Sequence, residues 1–328
     1  MNNCRAVVKR VLHVASYWVG IGSLFYRLNR RAKRVIVFHN VIRDELAGGI
    51  PKGVVGMRLS EFAAVIDEIG KHFRISNDIF DPSTVTLTFD DGYRNQYSTA
   101  FKYLQARNIP GVLFFSPGTR NVLTIDKMVL WREMVPRSLI PCGDIGKFWA
   151  EQFWPRYMED GESRGRKTLA WLNSIYSCDD LMAQLPREFV HERFGSILND
   201  ELDEMRGAGW TIGWHTKTHT PLSTLDVEGL QDELSAPPEF RDVCMAYPYG
   251  TEAAVGKRAI SIVAAQGFPC AFAYTNSSDL NKSRFFLPRL PSIGADRYLL
   301  NAQLSGFQYF MSYRRLMPTF PISESANT

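Results

Sequence analysis

The chain has 328 residues, of which 45% are hydrophobic and 22% are charged, and this composition excludes a disordered, collagen-like or disulfide-stapled protein. Its length suffices for one large α/β domain with a full hydrophobic core. The net charge of +4 is unevenly distributed, because residues 1–34 carry eight Lys or Arg and no acid, so the other residues sum to −4. The positive charge therefore belongs to a local N-terminal arm, residues 1–34.

The cysteines bear on the compartment in which the protein works. There are five, an odd number, and no two form a CxxC pair, so the sequence suggests neither a disulfide framework nor a cysteine zinc site. A reducing compartment fits this pattern. We therefore expect a cytoplasmic protein, and the basic arm leaves open a peripheral position at the inner face of the membrane.

The arm contains an apolar stretch between its two basic clusters. Residues 11–26 include no Lys, Arg, Asp or Glu, but they are fewer than the roughly 20 residues needed to cross a bilayer. No good cleavage site follows them, which argues against a signal peptide. Two interpretations stay open: a helix lying on anionic lipid, and a helix packed on the domain with its cations in solvent. Nucleic-acid binding is not expected, because no recognition module accompanies the cations.

After the arm, apolar runs of strand length alternate with segments of helical periodicity, which is typical of βα units around a parallel sheet or barrel. The predicted strands are residues 35–42, 85–90, 112–116, 211–216, 244–249, 271–274 and 285–290. Helices are expected between them, among others around residues 60–73, 97–104, 198–205 and 253–266. Residues 126–196 break the alternation and hold four of the seven tryptophans. They predict a helical insertion that buries most of these rings and turns one or two of them into the cleft.

Two polar motifs end predicted strands, at the edge where βα barrels build their sites. The first is TFDDGY, residues 88–93, and Asp90-Asp91 alone would more often be a turn, since neighbouring strand residues point to opposite faces. The second contains His215 and His219, four residues apart. Both imidazoles can reach one ion, and a carboxylate from the first motif would complete a His₂-carboxylate metal site.

Together with YPYG at residues 247–250, these motifs resemble the polysaccharide deacetylases with the NodB homology domain, also called carbohydrate esterase family 4. The resemblance spans about residues 35–290, apart from the insertion. It implies a distorted (β/α) barrel of the NodB type over residues 35–328, following the arm. It also implies a divalent metal, most often Zn²⁺, and removal of an acyl group from a sugar.

The resemblance assigns roles position by position. Asp91, His215 and His219 match the metal ligands of the family, and Asp90 matches the general base that takes the proton of the attacking water. Tyr249 matches the residue whose backbone N–H helps to hold the oxyanion. These assignments agree with the physical needs of metal-assisted amide hydrolysis.

Two departures qualify the resemblance. Many family members have an arginine two residues before the proline of the third motif, where this chain has Ala246; Arg289 is our candidate to orient Asp90 instead. No histidine follows His219, so the family's usual general acid is missing. His39 ends the first predicted strand and resembles the Tyr-His segment of certain exopolysaccharide deacetylases. We expect it near the metal as acid or substrate ligand, with a buried core histidine as the alternative.

The expected substrate is an acylated amino sugar, carried on a lipid or a nucleotide or within an oligosaccharide, in the synthesis of cell-surface glycan. Removal of an N-acetyl group is the leading hypothesis. Deformylation of a lipid-linked formamido sugar is the alternative within the same chemistry. A catalytically inactive glycan-binding protein also stays open, because the usual arginine and the late histidine are absent.

Overall fold

A computed structural model of the chain describes residues 2–120, 122–140, 143–148, 151–152, 166–241, 243–275, 283–292 and 294–319. The described strands are β1 (Arg34–Phe38), β2 (Val41–Ile42), β3 (Met57–Arg58), β4 (Arg74–Ile75), β5 (Thr84–Asp91), β6 (Val112–Phe115), β7 (Thr211–Trp214), β8 (Met245–Ala246), β9 (Ala271–Phe272) and β10 (Leu290–Pro291). The α-helices are Asn2–Trp18, Ile21–Leu28, Lys52–Val55, Leu59–Gly70, Lys102–Gln105, Thr124–Met134, Ile145–Phe148, Arg166–Ile175, Cys178–Ala183, Arg187–Phe194, Asn199–Gly207, Val227–Leu234, Glu252–Ala265, Arg297–Ser305 and Phe307–Tyr313.

Eight strands form one curled sheet in which every described pair is parallel. The order is β10-β1-β5-β6-β7-β8-β9, with β4 beside the start of β5. Leu287 exchanges backbone hydrogen bonds with Ala271 and Ala273 of the β9 edge, at 2.9 and 2.8 Å. The segment from Leu287 to β10 therefore links the two edges of the sheet. The predicted distorted (β/α) barrel is confirmed.

The core lies between the sheet and its flanking helices. All eight residues of β5 are buried, as expected of a parallel strand that is covered on both faces. In the helix Leu59–Gly70, Phe62, Ile66 and Ile69 recur at helical spacing and are buried on one side. The ring of Phe62 packs edge-on against Phe38, 5.1 Å between centroids. Truncating such a fully buried Phe to Ala typically costs about 3–5 kcal/mol.

A disulfide joins Cys244 and Cys270, whose Cα atoms lie 4.9 Å apart. The expectation that the cysteines form no disulfide is wrong for this pair, and the argument for a reducing compartment loses its basis. The two residues precede the neighbouring strands β8 and β9, and Met245 N–H donates to the Cys270 carbonyl at 3.2 Å. Strand pairing brings them together, whereas their separation of 26 positions in the sequence gives no such indication.

Short helices fill the described part of the chain between β6 and β7, where the insertion was predicted. They share a second apolar cluster with Ile42, Ala47, Val54 and Val55 from the segment after β1. In this cluster the Trp131 ring stacks on Phe148 at 4.9 Å and Phe148 stacks on Trp171 at 5.5 Å. Trp149 and Trp154 lie outside the described residues. The boundaries of the insertion, residues 126–196, stay a prediction.

The two arm helices, Asn2–Trp18 and Ile21–Leu28, pack against the C-terminal helices Arg297–Ser305 and Phe307–Tyr313. Two cations of the arm are buried where it joins the barrel. Arg34 Nε donates to the Leu304 carbonyl at 2.5 Å, and Lys33 Nζ donates to the Asp78 carbonyl at 2.7 Å. Of the helices that the structure describes, none combines the length and the apolar character needed to cross a bilayer.

Candidate active site

The seven residues singled out in the sequence gather at one end of the sheet. Six of them line a cavity of about 590 Å³, and Arg289 contacts this cavity through Asp90. Six of them come from the carboxyl ends of four strands: His39 follows β1, Asp90 and Asp91 end β5, His215 and His219 follow β7, and Tyr249 follows β8. Arg289 stands directly before the start of β10 and reaches Asp90 with its side chain. Because parallel strands end at the same edge, residues far apart in sequence meet there. Their catalytic roles stay predictions.

The backbone at the end of β5 brings two adjacent carboxylates to the same side. Asp91 has a φ of 83°, in the left-handed region, so the alternation of a strand is broken at this residue. His215 Nε2 consequently lies 3.3 Å from Asp91 Oδ1 and 4.0 Å from Asp90 Oδ2. Gly92 continues the turn with a φ of 87°, and a Cβ there would lie 2.5 Å from the Phe115 ring. Glycine is therefore required after the two aspartates.

Asp91, His215 and His219 fit a divalent metal ion. Their ligand atoms lie within 4.8 Å of one another, with His219 Nε2 at 3.1 Å from Asp91 Oδ1. His215 Nδ1 donates to the Ala246 carbonyl at 2.7 Å, which leaves the lone pair of Nε2 for a ligand role. Asp91 Oδ1 is buried and receives no hydrogen bond from the described residues. An unsatisfied buried oxygen beside two imidazoles is a donor set that suits zinc.

Asp90 is held by a buried guanidinium. Arg289 Nη1 and Nη2 donate to Asp90 Oδ1 and Oδ2, both at 2.6 Å, in a two-pronged pair. Arg289 itself is fixed, because Nη1 also donates to Thr88 Oγ1 and Nε donates to the Ala273 carbonyl, both at 3.2 Å. Burial opposes ionisation of Asp90, but the charges of Arg289 and His215 outweigh it and hold the pKa of Asp90 below its ordinary value.

The loop that carries the second histidine is supported by Glu233, a buried residue of the helix Val227–Leu234. Its carboxylate accepts from Thr218 N–H at 2.9 Å, and its carbonyl accepts from Lys217 N–H at 3.2 Å.

Burial opposes ionisation of Asp91, but His219 and His215 beside it hold the pKa of Asp91 well below its usual range. The geometry therefore keeps the candidate metal ligand ionised.

Backbone strain concentrates at these motifs. Six described residues other than glycine have a positive φ, and four of them are Asp91, Thr216, His219 and Tyr249. Such conformations cost about 1–3 kcal/mol each and persist only where the surroundings impose them. The Tyr249 ring centroid lies 5.0 Å from that of His219, so the third motif contacts the second across the cavity.

His39 lies on the rim of the cavity and is exposed, so the alternative of a buried core histidine is wrong. Its ring stands nearly perpendicular to the Tyr274 ring, 6.1 Å between centroids. Gln96 Nε2 donates to the carbonyls of both His39 and Asp90, which joins the ends of β1 and β5. Gln96 begins a π-helical turn, Gln96–Phe101, a feature that often marks functional sites.

A buried polar network in the cavity wall was not anticipated from the sequence. Tyr93 Oη donates to Asp126 Oδ2 at 2.6 Å, and Arg193 Nη2 lies 2.9 Å from Asp126 Oδ1. All three residues line the cavity. Tyr93 is the last residue of the aspartate motif, so for this residue the sequence does offer a signal. No sequence pattern indicates Asp126 or Arg193, which are 67 residues apart. Both belong to the region predicted as an insertion.

Comparisons with known proteins give structural neighbours only. No model of a protein family matches the sequence, and a search of curated proteins finds no match. A polysaccharide deacetylase from Bacillus cereus is similar with 13% identity and a TM-score of 0.47, over 83% of this chain and 68% of that one. Its name is that of the family that the motifs resemble.

Two further solved structures are similar in the same degree. The Streptococcus pyogenes deacetylase PplD, in complex with acetate, matches with 11% identity and a TM-score of 0.49, over 82% of this chain and 97% of that one. IcaB from Ammonifex degensii matches with 17% identity and a TM-score of 0.44, over 84% and 97%. With identities this low and TM-scores below 0.5, function has to be derived from the site itself.

Proposed function

We propose that the protein is a metal-dependent hydrolase that removes an N-acetyl group from an amino sugar during the synthesis of cell-surface glycan. One observation carries the proposal: a carboxylate and two imidazoles converge on one buried point, beside a second carboxylate that a buried arginine holds. Chance rarely assembles such a set at the carboxyl ends of parallel strands, where barrel enzymes place their chemistry.

Asp91, His215 and His219 would hold the metal. A zinc ion bound there supplies Lewis acidity, which lowers the pKa of water and polarises the acyl carbonyl. The residues themselves bring the three ligand atoms together before any ion arrives, because the loop around His219 is tied to Glu233 and the His215 ring is tied to the Ala246 carbonyl.

Asp90 is the group that accepts a proton from the attacking water. This role is supported by its ionised state and by its fixed orientation, both due to Arg289. His39, exposed on the rim, is the proposed donor of the proton that the leaving amine takes up. The Tyr249 backbone N–H is the proposed partner of the oxyanion. In the net reaction, water and the amide give acetate and the amino sugar with its amine protonated.

The cavity bears on the substrate class. The helix Thr124–Met134 contributes one wall, in which the side chains Ile125, Met128 and Val129 are apolar and the one carboxylate, Asp126, is paired with Arg193. The candidate metal ligands come from the strand ends instead. A sugar ring with its hydroxyls toward the polar side and an apolar attachment toward this wall fits such a division. We therefore favour an acylated amino sugar that is carried on a lipid.

The first test is the metal content of the purified chain beside a His215→Ala variant. We expect about one zinc or similar ion per chain, lost in this variant, and retained in His191→Ala, which changes an exposed histidine away from the cavity. A wild-type chain that holds no metal after reconstitution would overturn the hydrolase proposal. Glycan binding without turnover would then be the function to pursue.

The second test measures turnover. Acylated amino sugars, free and lipid-linked, should release acetate with the wild-type chain. Asp90→Asn should abolish this release while leaving the metal content unchanged, since Asp90 is no metal ligand in the proposal. Release of formate from formamido sugars, without release of acetate from the acetamido ones, would favour deformylation instead.

A further inference from the structure

The first arm helix exposes its apolar side to solvent. The apolar residues at one face are Val8, Val11, Leu12, Ala15 and Trp18, continued by Val19 directly after the helix, whose N–H still donates to the Ala15 carbonyl at 3.0 Å, and all six are exposed. The five larger residues are between 44% and 69% accessible. Their spacing of three and four residues places them in one stripe along the helix. We call this stripe the arm face.

The opposite, polar side of the same helix packs on the domain. His13 and Ser16 are buried, and Arg10 forms an ion pair with Asp296 of the C-terminal region. The ring of Tyr17 packs edge-on against Tyr298, 5.2 Å between centroids. A helix on the surface of a globular protein normally presents the reverse arrangement, with its apolar stripe toward the core. The arm face is therefore available to a partner outside the fold.

The second arm helix extends this character. Leu24 and Leu28 are about half exposed, whereas Phe25 is buried against Phe307 and Phe310. Exposed apolar patches of this kind mark surfaces for a protein or a membrane.

Charge distinguishes the two kinds of partner. Four exposed cations of the arm, Lys9, Arg27, Arg30 and Arg31, come in addition to Arg10, which is paired with Asp296, and residues 1–34 contain no acid. A second copy of this chain on the arm face would bring two such sets of cations together. An anionic lipid surface supplies an apolar layer for the stripe and negative headgroups for the cations, and Trp18 is of the residue type that favours this interface. Each cation near such a surface contributes about 1 kcal/mol.

We propose that the arm face binds the surface of an anionic membrane, with its helices lying along the surface. The inference does not depend on the proposed reaction, because it uses no residue of the cavity. Salt should weaken the binding, since screening acts on the exposed cations.

Vesicle flotation of the full chain tests the proposal. The wild type should float with vesicles that contain phosphatidylglycerol, and less with pure phosphatidylcholine vesicles. The double variant Val11→Glu/Val19→Glu should bind more than about tenfold more weakly, because two apolar contacts are replaced by charges. Val227→Glu, at another exposed valine outside the arm, should float like the wild type.

Metal content and the thermal melting curve of the double variant should match those of the wild type, since both substituted side chains are exposed and make no contact with the cavity. Equal flotation of the double variant and the wild type would overturn the proposal. Absence of flotation of the wild type with anionic vesicles would also overturn it. The wild type could instead fail to float and form a dimer without lipid that the double substitution dissociates. This result would assign the arm face to a second copy of the chain and would also overturn the membrane proposal.

Discussion

Replacing Arg289 by Met tests the pairing that the structure assigns to Asp90. Methionine keeps the unbranched stem of the side chain as far as the position of Nε but removes the guanidinium. Asp90 and Arg289 are only 3% and 1% exposed, so the change leaves a buried carboxylate without its counter-charge. Two charge-assisted hydrogen bonds of 2.6 Å are lost, at about 1.5–3 kcal/mol each. Breaking a buried pair costs about 3–5 kcal/mol in general. We expect a loss of about 4 kcal/mol.

A double-mutant cycle measures the pair itself. Urea unfolding would compare the wild type with Arg289→Met, Asp90→Asn and the double variant, all metal-free. The loss of unfolding free energy in the double variant should be smaller than the sum of the two single losses, by about 2 kcal/mol or more. The reason is that removing both charges leaves neither of them unpaired. Turnover should fall at least about 100-fold in Arg289→Met and should not recover in the double variant, since Asp90 is then no base.

Arg258→Met provides the matched control, because Arg258 is exposed on the helix Glu252–Ala265. Its stability should stay within about 0.5 kcal/mol of the wild type. The reasoning fails if Arg289→Met unfolds like this control and keeps its turnover. Additive losses in the cycle would also contradict a direct pair.

Three further predictions concern other parts of the chain. His39→Ala should lower turnover, most strongly for substrates with poor leaving amines, and leave the metal content unchanged. Burial lowers the pKa of Lys33 to about 8, so between pH 8 and 10 this lysine is protonated in the unfolded chain but largely neutral in the folded one. The free energy of unfolding should therefore rise by about 2 kcal/mol from pH 8 to 10, relative to Lys33→Met. Reduction of the bond between Cys244 and Cys270 should lower the free energy of unfolding by about 3 kcal/mol, measured on samples whose cross-link is verified by mass spectrometry.

Each of these has a contradicting result. Full turnover in His39→Ala would remove this residue from the reaction. The same slope of stability against pH in Lys33→Met and the wild type would mean that Lys33 has an ordinary pKa. Peptides of Cys244 and Cys270 that are found unlinked in the unreduced protein would exclude the disulfide.

The strands could be predicted because buried parallel strands are continuous apolar runs. Val85–Asp90 was expected and β5 (Thr84–Asp91) is observed, whereas the predicted strand at 244–249 is only β8, Met245–Ala246. The excess residues belong to the third motif, where Tyr249 adopts a left-handed backbone. Hydropathy reports burial and cannot distinguish such a strained turn from the strand before it.

The sequence by itself determined which residue types stand at the strand ends, since a motif is a local property of the chain. Only the tertiary structure decided that Arg289 reaches Asp90, 199 residues away, because a spacing of that size carries no information about side-chain contact. The same holds for the network of Asp126 and Arg193. The arm shows the difference most clearly. Helical periodicity in the sequence predicts that one side of its first helix is apolar. Which side faces the domain depends on the contacts that the rest of the fold provides, here Asp296 and Tyr298.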